Sequence, residues 1–199
     1  MNTTDRETIS AYDARVADYD KLTRRSKPDP TLIEFIGQVR PGGLVLDLGC
    51  GPAASSAVMR DHGLRVDPVD ASSAMVELAN ATHGIGARLA DFGDIDAVAV
   101  YDGVWANFSL LHARPDAFDQ HLRALHRALV PGGIFHIGMK LGQGSNRDSI
   151  GRFYAYYTRE ELSDRLTKSG FSVDGYSLGQ ARGLAGDVEP WITMTARHQ

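Results

Sequence analysis

Cysteine is almost missing from this chain, with one, Cys50, in 199 residues. A lone thiol excludes an internal disulfide framework and any metal site built on several cysteines. An excess of basic residues is missing too: Lys and Arg number 21 against 25 Asp and Glu, a net charge of −4 with a pI near 5.9. A surface given over to nucleic acid needs a basic footprint, so no nucleic-acid partner is expected. No apolar run approaches the roughly 20 residues of a membrane span. Residues 1–6 are polar and lack the apolar stretch of a secretory signal. The expectation is a cytoplasmic protein without a membrane partner, and the sequence carries no signature of an oligomeric state.

What is present is an alternation. Hydrophobic residues make up 43% of the chain and charged residues 23%, the balance of an ordinary globular core under a polar surface. Leu44-Val45-Leu46-Asp47-Leu48 is a short apolar run ending in Gly49-Cys50-Gly51-Pro52, a strand closed by a tight turn. Further strands are expected at 64–70 (weakened by Pro68), 87–91, 101–106 and 134–139. Helices are expected between them at 53–62, 71–82 and 115–130, the last stopped by Pro131-Gly132-Gly133. Strands separated by helices need crossovers, and crossovers imply a mostly parallel sheet covered on both faces. This is an α/β pattern.

The ends read differently. Thr4-Asp5-Arg6-Glu7 has capping-box spacing, and Ile9, Tyr12, Val16 and Tyr19 follow at the intervals of one helix. Asp29-Pro30 opens another short helix. Thr158-Arg159-Glu160-Glu161 is a second capping box, starting a helix that Gly170 stops. Two final strands, 171–178 and 191–197, have no helix between them and are expected to pair antiparallel. Residues 142–157 form a polar stretch with no regular period, long enough to be a functional loop.

Chemistry concentrates at the glycine turn. Gly49 and Gly51 stand where a strand becomes a helix, so a ligand can approach the backbone and meet unpaired N–H groups. Asp70, nineteen residues beyond Gly51, closes the next strand and so lies beside the first turn in a parallel sheet. A carboxylate there can accept two hydrogen bonds from a ribose diol. Asp47 sits two residues before Gly49, inside an otherwise apolar strand. A pyrophosphate over the turn would be repelled by it, whereas a cation would be attracted. That favours S-adenosylmethionine, with its sulfonium and ammonium groups, over NAD.

These residues resemble a known family. Val45-Leu46-Asp47-Leu48-Gly49-Cys50-Gly51-Pro52 looks like the first motif of the class I S-adenosylmethionine-dependent methyltransferases, and Val69-Asp70-Ala71-Ser72 with Met75 like the second. Ala90-Asp91-Phe92, Tyr101 through Asn107 with Leu110-Leu111-His112, and Leu129-Val130-Pro131-Gly132-Gly133 are similar to later parts of the same pattern. The resemblance is specific over residues 44–140 and looser beyond. It implies a Rossmann-like, seven-stranded, mostly parallel sheet with helices on both faces and an antiparallel last strand. One domain is implied over 1–199, with 1–40 as a helical lid and 41–199 as the core.

The resemblance also implies roles. Gly49, Cys50 and Gly51 pass under the methionine part of the cofactor, with Asp47 near its amino group and Asp70 on the ribose hydroxyls. Ala71 and Met75 flank the adenine, Asp91 accepts from its amino group beside the Phe92 backbone, and Asn107 lies near the reacting methyl. Tyr12 and Tyr19 belong to the lid. One departure is Ala53, where many members carry a third glycine; alanine is small enough to leave the turn open.

The acceptor is expected to be a small molecule, methylated by in-line displacement that relies on alignment more than on acid–base help. His112, following the strand 101–106, is the candidate base if the acceptor must lose a proton. Arg147, Arg152 and Tyr154 are candidate acceptor contacts, with the arginines suited to clamping an anion. His121 and His126 are five apart and face differently on a helix, so no metal is expected. Two alternatives stand beside this reading: a binding module for the same cofactor without catalysis, and an NAD-dependent oxidoreductase.

Overall fold

The computed structural model describes residues 5–23 and 27–199. The chain opens with α1 (Arg6–Asp13) and α2 (Val16–Thr23). Asp5 caps α1 by accepting from the Thr8 N–H; Thr4, expected as the cap, lies outside the described residues. The single helix expected through Tyr19 is thus two, broken at Ala14–Arg15. In one straight helix seven residues span about 10 Å. The break instead brings the Tyr12 and Tyr19 rings edge to face at 5.2 Å. α3 (Pro30–Gln38) follows, with Pro30 in its first turn and the Asp29 carboxylate accepting from Thr31 N–H.

The core then alternates: β1 (Leu44–Leu48), α4 (Ala54–Asp61), β2 (Arg65–Asp70), α5 (Ser73–His83), β3 (Arg88–Leu89), β4 (Tyr101–Asn107), α6 (Pro115–Ala128) and β5 (Leu129–Lys140). A hairpin of β6 (Ser145–Arg147) and β7 (Phe153–Ala155) comes next, then α7 (Arg159–Lys168), β8 (Phe171–Arg182) and β9 (Val188–His198). Seven strands form one sheet in the order β3-β2-β1-β4-β5-β9-β8. The first five are parallel, while β9 pairs antiparallel with both β5 and β8. Pro68 is tolerated because β3 pairs only with Val69 and Asp70, leaving β2 an edge at that point. The stretch 142–157, without visible period in sequence, holds the small hairpin; its three-residue strands are too short to show alternation.

Alternate residues of the buried strands serve two cores. Leu46, Leu48, Val104 and Ala106 face the larger one with Phe118, Leu122 and Leu125 of α6 and Leu162 and Leu166 of α7. Val45 and Trp105 face the other, with Leu32, Phe35 and Val39 of the α3 segment and Met59 of α4. Among the described residues no helix is long and apolar enough to cross a membrane. The strand order reverses between β1 and β4, and in open parallel sheets that switch point leaves a crevice at the carboxyl ends of the strands. The turns after β1 and β4 both open there.

Candidate active site

Backbone geometry shapes the floor of the crevice. After β1 the chain turns through Gly49 (φ +72°) and Gly51 (φ +53°), both left-handed. The N–H groups of Gly49 and Cys50 donate to the Val69 carbonyl, each at 2.9 Å, tying the turn to β2. Gly51 N–H donates to one oxygen of Asp70 and Ser72 N–H to the other, both at 2.8 Å. The turn after β4 closes in from above: a Cβ on Gly49 would lie 2.4 Å from Ser109 Cβ, so only glycine fits. Phe108 is itself left-handed (φ +58°), and its N–H donates to Gly138 O at 3.1 Å. A bulky residue held there is strained, and such strain collects at functional sites.

Two carboxylates, Asp47 buried and Asp70 half-buried, set the electrostatics. Asp47 is only 3% exposed and its carboxylate accepts from Ser56 Oγ at 2.6 Å. Burial, with some repulsion from Asp70, pushes its pKa up to about 7 against the pull of the Ser56 bonds. Asp70 is also raised, by burial first. A third carboxylate, Asp13 of α1, accepts from Ser72 Oγ at 2.5 Å beside them. Among the described residues no lysine or arginine lines the crevice. Cys50 packs in the turn with its thiol pushed up by burial, so it is an inert small side chain.

The roof comes from α1 and α2. Tyr12 and Tyr19 line the crevice with Thr8 and Ile9, and His112 closes it from the 3-10 turn after β4. The hydrogen bonds around His112 fix its tautomer. A carbonyl can only accept, so Nδ1 carries the proton that goes to Phe153 O at 2.6 Å. Nε2 is then a lone pair, and Tyr12 O–H donates to it at 2.9 Å. Tyr12 Oη in turn accepts from Arg152 Nη1 at 3.0 Å. Burial holds the imidazole at a pKa of about 3 despite the Phe153 carbonyl, so His112 is neutral at physiological pH.

Of the residues singled out in sequence, Tyr12, Tyr19, Gly49, Gly51, Asp70, Ala71, Met75, Phe92 and His112 share this crevice, which holds about 590 Å3 including its mouth. Others do not line it. Asp47 and Cys50 lie beneath the turn, and Asp91 caps the 3-10 turn 92–94, accepting from Gly93 N–H at 3.4 Å. Asn107 turns its side-chain oxygen away to accept from His136 Nε2 at 3.0 Å. The two arginines, candidate anion contacts, are each paired with a carboxylate of the chain. Arg147 forms a two-pronged pair with Asp5 (2.6 and 2.9 Å), while Arg152 is held by Asp148 at 2.8–2.9 Å with 4% of its side chain exposed. Tyr154 is buried under the Lys140 ammonium, 3.4 Å from its ring centre. His121 lies against Phe92 and His126 stacks on His198, so these two share no site.

Ser109 was not singled out. It is 6% exposed, lines the crevice, and its hydroxyl has no hydrogen-bond partner. Its place two residues past a strand end at the switch point was a usable signal. The strained backbone of Phe108 was not readable, because nothing in the residue type announces it.

A family model described as a methyltransferase domain matches residues 45–133. The chain is 32% identical over 135 residues to the malonyl-acyl-carrier-protein O-methyltransferase of Pseudescherichia vulneris, covering 64% of this chain and 51% of that one. It thus spans about half the length of that relative. Among solved structures, the 1,6-didemethyltoxoflavin-N1-methyltransferase of Burkholderia thailandensis, bound to 1,6-didemethyltoxoflavin and S-adenosylhomocysteine, superposes with a TM-score of 0.79. That likeness has 25% identity and covers 98% of this chain and 88% of the other. The cyclase SpnF shares the fold alone, with a TM-score of 0.75 at 17% identity over 100% of this chain and 97% of that one.

Proposed function

We propose that the chain, which is similar to the class I S-adenosylmethionine-dependent methyltransferases, moves a methyl group from S-adenosylmethionine to a small-molecule acceptor. One observation carries the reading: two carboxylates, the buried Asp47 and the half-buried Asp70, flank a glycine turn at the switch point with no cation in the crevice lining among the described residues. Burying uncompensated carboxylates is costly unless a positive ligand joins them. The residues fit such a ligand. Gly49 and Gly51 leave a cradle without side chains, Asp70 borders it, and the unpartnered Ser109 hydroxyl overlooks it. A dinucleotide would bring pyrophosphate to the same acidic floor.

When bound, this cofactor supplies a methyl already activated by its sulfonium. The protein's own share is placement. Asp70 takes the ribose hydroxyls with the lone pairs that Gly51 and Ser72 leave free. Met75, Ala71 and Phe92 give the adenine an apolar slot, and Tyr12 and Tyr19 cover the crevice against water. Holding the reacting groups in line is where such a site gains most of its rate. The neighbour bound to 1,6-didemethyltoxoflavin supports the acceptor class, while SpnF shows that this fold alone does not decide the chemistry.

Calorimetric titration with S-adenosylhomocysteine tests the reading. The wild type is expected to bind it, and Asp70→Ala to lose about 1.5–3 kcal/mol for each charge-assisted hydrogen bond removed. Retention of NAD with no uptake of S-adenosylhomocysteine would overturn the reading. Methyl turnover against an acceptor panel separates an enzyme from a binding module.

A further inference from the structure

The two edges of the sheet are unequal. β3 ends it on one side with only Arg88 and Leu89, short and charged, which is how natural edges avoid pairing. β8 ends it on the other side with twelve residues, and its stretch from Gly175 to Ala181 carries no charge and no proline. The ladder shows which groups of β8 face outward. Gly183 N–H donates to Asp187 O in line with the β8–β9 register, and hydrogen-bonded pairs alternate along an antiparallel ladder. Tyr176, Leu178, Gln180 and Arg182 are out of phase with that pair, so their N–H and C=O groups turn to the free edge. Pro190, opposite Gln180, agrees: its carbonyl accepts from Leu141 N–H, on the β5 side of β9. The same four residues share one face of the strand. There Tyr176 and Leu178 are 49% and 55% exposed, and Val188, opposite Arg182, is 55% exposed.

We propose that β8 pairs antiparallel with β8 of a second copy of this chain, about a two-fold axis at Leu178, so that one sheet runs through both copies. The strand matches itself. In this register the outward N–H and C=O of Leu178 meet those of its counterpart, and Tyr176 meets Gln180, so each outward backbone group from 176 to 180 gains a partner. The exposed Leu178 side chain is covered by its own copy. Charge matches as well, because Asp174 of each copy comes level with Arg182 of the other. Among the described residues Arg182 has no carboxylate of its own chain, its Nη1 donating to Gly186 O at 2.6 Å. The assembly closes at two, since each copy uses up its long edge. This pairing does not depend on what the crevice binds.

Sedimentation equilibrium of the full chain over about 1–100 μM tests it, the range suited to a small interface of the transient class. The mass should rise from 21.6 kDa toward twice that value and no further. Leu178→Pro deletes an outward N–H that the β8–β9 ladder does not use, and edge strands tolerate proline. Leu178→Lys, at an exposed position, sets two ammonium groups against each other at the axis. Each should weaken the dimer by about tenfold or more, with the circular dichroism spectrum unchanged. Cross-linking checks the register. Leu178→Cys should form a covalent dimer under mild oxidation, its paired Cα atoms standing about 5.5 Å apart. Gln180→Cys should not, because its counterpart lies four residues along, roughly 13 Å away. A monomer at every concentration overturns the proposal. So does a dimer that Leu178→Lys leaves intact, growth beyond two copies, or equal cross-linking at 178 and 180.

Discussion

The floor and the roof of the crevice follow opposite rules. On the floor, the buried Asp47 and the half-buried Asp70 stand close to each other without a cation, and the backbone passes through three left-handed residues, Gly49, Gly51 and Ala53. On the roof, Arg147 and Arg152 have their carboxylates, the Thr8 and Tyr12 hydroxyls their partners, and α1 is fastened to the β6–β7 hairpin by Thr8 and Tyr12. The floor is costly alone and completed by a cation. The roof is complete alone. Removing a charge should therefore act in opposite directions on the two sides.

The largest effect is expected on the roof. Arg152→Met leaves Asp148, with 11% of its side chain exposed, facing a hydrocarbon, and breaking such a buried pair costs about 3–5 kcal/mol. Urea unfolding measures it. A loss under about 1 kcal/mol would place the pair among surface ion pairs and erase the contrast with the floor.

On the floor the sign reverses. The pKa of Asp47 in the folded protein is about 7, above the roughly 3.9 of an unfolded chain. The native state therefore holds a proton that the unfolded state has released between those values, and stability falls as pH rises through that window. Asp47→Asn removes the penalty. The ligand-free variant should be more stable than wild type by roughly 2–4 kcal/mol at pH 8 and only slightly so at pH 4. The same substitution should weaken S-adenosylhomocysteine, whose ammonium group loses a negative neighbour. Denaturant titrations at both pH values decide it; equal stabilisation at the two would remove the titration from the account.

Legibility in the sequence divides along the same line. The floor could be read because its features are local: an apolar run, two glycines, and an acid at the next strand's end suffice to bring Gly51 and Asp70 to 2.8 Å. The parallel core and the antiparallel final pair follow from helices between strands and their absence between the last two, whereas the seven-stranded form was implied by the family resemblance. The roof joins residues more than a hundred apart, Tyr12 with His112 and Arg152, through side-chain bonds that no spacing encodes. That is why Arg147 and Arg152 read as anion clamps, although the carboxylates that neutralise them, Asp5 and Asp148, were present in the sequence. Asn107 sits at the strand end where it was expected, but its side chain turns to His136, which lies beyond any local pattern.

Ala53 brings the smallest expected effect and refines the view of the floor as strained. It caps α4 at φ +61°, fully buried, with no side-chain hydrogen bond. Three contributions compete in Ala53→Gly. Relief of the left-handed Cβ clash favours glycine by roughly 1–2 kcal/mol. Greater freedom of the unfolded chain works against it by about 0.4–1 kcal/mol. Loss of a buried methyl packed with Ala79 and Ala87 works against it by about 0.8 kcal/mol. The sum is near zero, which is why alanine can stand here at little net cost. Thermal unfolding of Ala53→Gly should therefore differ from wild type by less than about 1 kcal/mol. A larger gain would mean that the turn carries more backbone strain than its packing offsets; a larger loss would mean that the methyl contact, rather than the dihedral, governs this end of the floor.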